Sequence, residues 1–263
     1  MLTFASLCPH SPLLVPTIAK KNPDKLKNTI KAFEELEKNF SASQPETVII
    51  ITPHGLVYED AFSINLCDQY QGDFEEFGEF SSHLEFKADP LLANVIKIKS
   101  QDKKFSLTLD TCQKLDHGVS VPLSLLTTHY KNIKLLPLSY ALLDLKTHFE
   151  FGQLLKEAIQ ENTKQVAVVA SGDLSHRLTS ESPAGFAKEG ALFDEAVREA
   201  IKNKNLATLF NLDQTIIDQA QECGLKPLVT LLGILHGLNY DPEILSYESP
   251  LGIGYLTCNF KLN

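Results

Sequence analysis

Four of the eight histidines sit in short segments flanked by Pro, Gly, Asp or Ser. They are Cys8-Pro9-His10-Ser11-Pro12, Thr52-Pro53-His54-Gly55, Leu115-Asp116-His117-Gly118 and Gly172-Asp173-Leu174-Ser175-His176. Imidazole binds metals and titrates near neutral pH, so several brought together can hold an ion or move protons. Two neutral imidazoles with one carboxylate leave open positions suited to Fe(II) that must bind substrate and O2 together. The same ligands could hold Zn2+ with an activated water for hydrolysis. A carboxylate candidate is Glu222, in Ala220-Gln221-Glu222-Cys223-Gly224, where one helical pattern ends and Gly224 permits a sharp turn before the next. Position alone does not distinguish it from an exposed carboxylate at a helix end.

Taken singly, each loop histidine is more ordinary as a surface or capping residue. The joint pattern is what points to a site. His83, His129, His148 and His236 lie beside helical or polar residues and are assigned to packing or solvent. Asp173 reads as a cap for the turn after a strand, through bonds to backbone N–H groups. Asp116 either caps the following helix or orients an imidazole.

The elements that must carry these residues alternate along the chain. Apolar, β-branched runs predict strands at Leu2–Leu7, Thr47–Thr52, Ile133–Leu138 and Gln165–Ser171, with weaker ones at Ala61–Leu66 and Phe105–Leu109. Helical spacing covers Asp24–Phe40, where Leu26, Ile30, Phe33, Leu36 and Phe40 recur every three or four residues. Further helices are expected at Val119–His129, Phe149–Ile159, Pro183–Lys202, Leu206–Leu212 and Leu225–Leu238. Residues 243–260 read as two strands joined at Glu248-Ser249-Pro250. Strands separated by helices imply crossovers, so the expectation is a single α/β domain over residues 1–263. It has three layers, α/β/α, around a mostly parallel or mixed sheet whose terminal strands form an antiparallel edge. His10, His54 and His176 then all follow strands, at the rim where open sheets bind ligands.

Composition sets the outer bounds. With 43% hydrophobic and 22% charged residues the chain is of ordinary globular type. A net charge of −9 repels phosphate backbones and anionic lipid, so neither nucleic acid nor membrane is an expected partner. No apolar stretch approaches the ~20 residues of a membrane span, and the N-terminus lacks a basic region before its apolar residues. Five scattered cysteines without a CxxC pair read as reduced thiols, and a cytoplasmic location is expected.

Four motifs occur together in one order: PHSPLLVP at the N-terminus, TPHG after the second strand, LDHGVSVPL in mid-chain and SGDLSH after a later strand. With Glu222-Cys223-Gly224 and the terminal SYESPLGIGYL, they resemble the class III extradiol ring-cleavage dioxygenases of subunit-B (LigB-like) type. That family also contains the Memo proteins and a bacterial branch linked with AMMECR1-type domains. The resemblance covers essentially the whole chain. It implies non-haem Fe(II) bound by His10, His54 and Glu222, with Zn possible in protein as isolated. It also implies His176 as acid/base, His117 as a second pocket histidine, and a catechol-type substrate cleaved with O2. Because Cys223 directly follows Glu222, a shift of one residue would replace a hard carboxylate ligand by a soft thiolate. The rival readings are a Memo-like metal- or ligand-binding protein without ring cleavage, acting with AMMECR1-type or radical-SAM partners, and a Zn2+ hydrolase on the same ligands. A homodimer is the expected assembly.

Overall fold

Strands covered on both faces are built from apolar residues throughout, and the two faces separate by strict alternation. All six residues of Thr47–Thr52 are buried, Val48 and Ile50 in one apolar cluster and Ile49 and Ile51 in the other. The computed structural model describes residues 1–19 and 25–263. Its elements run β1 (Leu2–Cys8), α1 (Pro16–Ala19), α2 (Lys27–Ser43), β2 (Thr47–Thr52), β3 (Phe62–Asn65), β4 (Gln69–Phe74), β5 (Glu79–Ala88), α3 (Pro90–Asp102), β6 (Leu107–Asp110) and α4 (His117–Leu126). Then follow β7 (Lys134–Ser139), α5 (Leu145–Glu161), β8 (Val166–Ser171), α6 (Lys188–Lys202), α7 (Leu206–Phe210), α8 (Gln214–Ala220), α9 (Leu225–Leu235), β9 (Tyr240–Glu248) and β10 (Tyr255–Leu262).

These strands form one mixed sheet in the order β4-β5-β7-β2-β8-β1-β10-β9, with β3 and β6 attached beside β7. From β5 to β1 the neighbours are parallel. Antiparallel pairs finish both ends, β4 with β5 and the β10–β9 hairpin beside β1. Residues of α3, α5, α6 and α9 pack against one face, and those of α2 and α4 against the other. The expected three-layer α/β/α arrangement is therefore present. Among the described residues, no helix is long and apolar enough to cross a membrane.

Several boundaries differ from the sequence reading. The helix expected at Asp24–Phe40 runs from Lys27 to Ser43, and Asp24 lies outside the described residues. Residues 183–187 precede α6 rather than opening it. Gly185 there has φ +72, and the extended Ala187 donates its N–H to the Arg177 carbonyl. The β4–β5 hairpin, α3 and α8 were not foreseen.

One close crossing locks the layer that carries α9. A Cβ on Gly152 of α5 would stand 2.1 Å from the Thr230 carbonyl oxygen and 2.9 Å from the Gly233 Cα. A Cβ on Gly233 would stand 2.1 Å from the Phe149 carbonyl oxygen. Both obstacles are backbone, so the helices would have to separate. Gly152→Ala is expected to destabilise the fold by about 2 kcal/mol, overpacking outweighing the helix-propensity gain of up to ~1 kcal/mol. Urea unfolding measures this, and an unchanged or raised midpoint would show that the two helices part freely.

Candidate metal centre

The three central strands β2, β8 and β1 are adjacent and parallel, so their carboxyl ends open at one place. His54 follows β2, His10 follows β1, and the loop after β8 carries Asp173 and His176. His10 Nε2 and His54 Nε2 stand 3.0 Å apart. The Cys223 Sγ is 3.6 Å from His10 Nε2, and the three donor atoms all lie within 4.8 Å of one another. His117, first residue of α4, stacks obliquely on His54 at 4.2 Å between ring centroids and meets His10 at 5.4 Å. Its other side faces Phe77 at 5.7 Å and Glu76 Oε1 at 3.9 Å, from the turn between β4 and β5. His176 is half-buried, with its Nδ1 against the Gln221 carbonyl.

The loops are tied to one another chiefly through Asp173. Its Oδ1 accepts the His10 backbone N–H at 3.1 Å, and its own N–H donates to Cys223 Sγ at 3.3 Å. Its carbonyl accepts the Cys223 N–H at 3.2 Å. The residue read as a cap for its own turn thus fastens β1 and the α8–α9 loop to β8. Two glycines allow this approach, since a Cβ on Gly172 would stand 2.2 Å from the Gly224 Cα. On the other side, Asp116 caps α4 by accepting Val119 N–H and also accepts the Thr52 hydroxyl at 2.7 Å. The Thr52 oxygen in turn receives the His54 N–H. Both roles considered for Asp116 are therefore served, the second by holding the backbone of the histidine.

The protonation of His10 follows from its neighbours. The Ser171 hydroxyl donates to the Gly118 carbonyl, so its oxygen can only accept from His10 Nδ1, 3.0 Å away. His10 therefore carries its proton on Nδ1 and aims the Nε2 lone pair at His54 and Cys223. Burial, reinforced by repulsion from His117 and His176, pushes its pKa down to about 3. His54 is exposed at the mouth and is pushed the same way by desolvation and by His10. Burial also raises the Cys223 thiol well above its usual value, with Asp173 adding to the effect.

Bond lengths of ~2.0–2.1 Å to nitrogen and ~2.3 Å to sulfur imply N···N separations of roughly 2.9–3.4 Å and N···S separations of roughly 3.1–3.6 Å at ordinary angles. The N···N distance of 3.0 Å and N···S distance of 3.6 Å match a shared transition-metal ion. Glu222 stands apart from this group. Its Oε2 accepts the Leu225 N–H at 2.6 Å at the start of α9, and its side chain lines a cavity with Tyr140 and Lys226. Burial lifts its carboxyl to about 7. Ser171 was not singled out in the sequence, and nothing in its spacing marks it. For Asp173 the SGD turn was visible, but its partner on β1 was not.

Comparison with known proteins agrees with this arrangement. The family described as the catalytic LigB subunit of aromatic ring-opening dioxygenase matches residues 4–257. Protein CA_C1420 of Clostridium acetobutylicum is 33% identical over 258 residues, 95% of this chain and 55% of that protein. A MEMO1 family protein of Methanosarcina mazei is 30% identical over 120 residues, 45% of this chain and 42% of its own length. The 3,4-dihydroxyphenylacetate 2,3-dioxygenase of Escherichia coli is 24% identical over 264 residues, 93% of this chain and 94% of that enzyme. The chain thus spans about half the length of its Clostridium relative. In fold it is similar to the uncharacterized protein JW3007 of Escherichia coli K12, with a TM-score of 0.66 at 16% identity, covering 98% of this chain and 99% of that one. With a match reaching from β1 into β10, the chain belongs to the LigB family of aromatic ring-opening dioxygenase catalytic subunits.

Proposed function

We propose that this chain is a Memo-like metal-binding protein whose ion is held by His10, His54 and Cys223. The observation that carries this reading is the third donor, a thiol in place of a carboxylate. Two imidazoles and a thiolate favour soft or borderline ions such as Cu(I) and Zn2+, or iron in a thiolate-bound form. When bound, such an ion supplies Lewis acidity or one-electron chemistry to a ligand at the rim. The chain's own groups do the rest. His10 and His54 present lone pairs without having to lose a proton near neutral pH, the Asp173 N–H is placed to stabilise Cys223 as thiolate, and His117 and His176 are held where a ligand proton can be taken or returned.

The second reading is Fe(II)-dependent extradiol cleavage of a catechol by O2, with His176 as acid/base and His117 at a substrate oxygen. It is favoured by the end-to-end similarity to the Escherichia coli dioxygenase. In that reading the Glu222 carboxylate must release the Leu225 N–H and turn to the metal.

Metal affinity separates the two. Cys223→Ser is expected to weaken binding at least 10-fold, while Glu222→Gln leaves it within about 3-fold. Ser171→Ala, which frees the His10 tautomer, is expected to cost 10–100-fold. Competition titration against a chromophoric chelator measures all three, and the opposite order for Cys223 and Glu222 would replace this proposal with the carboxylate reading. A pH series gives an independent check. With His10 at about 3 and the thiol raised, binding near neutrality releases the Cys223 proton, so affinity should climb about tenfold per unit from pH 6 to 8. A flat profile would point to a carboxylate ligand. Finally, protein loaded anaerobically with Fe(II) is expected to show no O2 uptake or yellow product with 3,4-dihydroxyphenylacetate. Turnover lost in His176→Ala with iron retained would establish ring cleavage.

A further inference from the structure

A cavity of about 300 Å3 opens on the side of Cys223 away from the Asp173 loop, walled by Tyr140, Ile217, Gln221, Glu222, Cys223 and Lys226. A 150 Å3 cavity accommodates a benzene ring, so this volume holds one ring with a short side chain. Its most unusual group is the Lys226 ammonium. This half-buried cation donates to the Ala141 carbonyl at 3.2 Å and lies 5.1 Å from the Tyr140 ring centroid. No carboxylate among the described residues forms an ion pair with it.

The nearby acid that could have neutralised it is otherwise engaged. Glu222 is spent on the first turn of α9 through Leu225 N–H, and the exposed Asp218 takes the Gln214 amide at 2.7 Å. An ammonium offers three donors, and a partly desolvated one without a counter-charge is unfavourable unless something anionic completes it. Burial accordingly holds Lys226 below its ordinary pKa. The Tyr140 ring and the Ala141 carbonyl fix the direction in which the cation can be approached. The cavity therefore joins two chemically distinct ends, a cation at Lys226 and the thiol of a metal ligand.

We propose that Lys226 is an anion subsite of the metal centre, which receives the carboxylate of a small single-ring acid whose other end reaches the ion beside Cys223. The proposal rests on reading His10, His54 and Cys223 as the metal site. It makes Lys226 a specificity determinant that selects acids over neutral analogues of the same shape.

The test uses the whole chain loaded with Co2+, whose thiolate charge-transfer band reports both metal and ligand. Two probes differ in a single group: 3,4-dihydroxyphenylacetate carries the carboxylate and 4-methylcatechol lacks it. The expected result is that the acid perturbs the band at a Kd at least 10-fold below that of 4-methylcatechol. Lys226→Met should bring the two affinities within 2-fold of each other, with the cobalt band retained, and Lys226→Arg should keep part of the preference. Equal affinities in the wild-type chain, no response to either probe, or a preference that survives Lys226→Met would overturn the subsite. If Lys226→Met fails to fold, the wild-type comparison and Lys226→Gln decide. Inorganic phosphate displacing the acid where acetate does not would assign the subsite to phosphate and overturn the carboxylate. Absence of any thiolate band would remove the metal reading itself, an outcome distinct from a normal band without discrimination.

Discussion

The centre depends on a contact from which side chains are missing. Gly172, just past β8, and Gly224, just before α9, meet backbone to backbone with no room for a Cβ on the first. Only at that separation can Asp173 and Cys223 exchange their bonds, N–H to Sγ in one direction and N–H to carbonyl in the other. Any residue larger than glycine would lift the α8–α9 loop off the sheet rim. The thiol would then leave the neighbourhood of His10. Packing of α9 beneath it is equally tight, because the Gly152–Gly233 crossing fixes the helix whose first turn follows the cysteine.

Electrostatics at the rim follow from the same compression. Imidazoles crowded together and shielded from water favour the neutral form, and His10 and His54 are driven down together. The carboxyls around them move the other way. Burial raises Asp173 and Glu222 despite the hydrogen bonds each accepts. A site that resists charge in both its bases and its acids is one whose charge an added cation can supply. Asp194 extends the pattern under the loop. Its oxygens accept Ser175 N–H and the Tyr247 hydroxyl while burial holds its carboxyl at about 6.

What could be read in the sequence was whatever repeats or is chemically rare. TVIIIT gave β2 with its exact ends, and VAVVAS gave β8, because strands covered on both faces leave no position polar enough to blur them. The loop histidines stood out because they interrupt that pattern beside Pro and Gly. The β4–β5 hairpin did not stand out. As a sheet edge it exposes alternate residues, and QYQGDF and EFSSHLEF look like a loop until their partners are known. The helix α3 was signalled by Asp89-Pro90, with the aspartate accepting Leu92 N–H, but a cap without a strong apolar stripe is easily passed over. The identity of the third donor was a question of one residue. No periodicity resolves it, because Glu222 and Cys223 lie in a turn whose direction is set by Gly172 from a different part of the chain.

The Ser171–His10 bond has a kinetic meaning as well. With its proton committed to Nδ1, His10 is ready for an ion at all times, whereas a hydrogen bond across the 3.0 Å gap requires the proton to sit on the Nε2 of His54. Loading therefore begins with a tautomer exchange on one ring only. That ring is the exposed one, so water can carry the proton from Nε2 round to Nδ1 without any movement of the buried rim. The chain thus divides the work between a fixed ligand that defines where the ion goes and a solvent-coupled ligand that determines when it can enter.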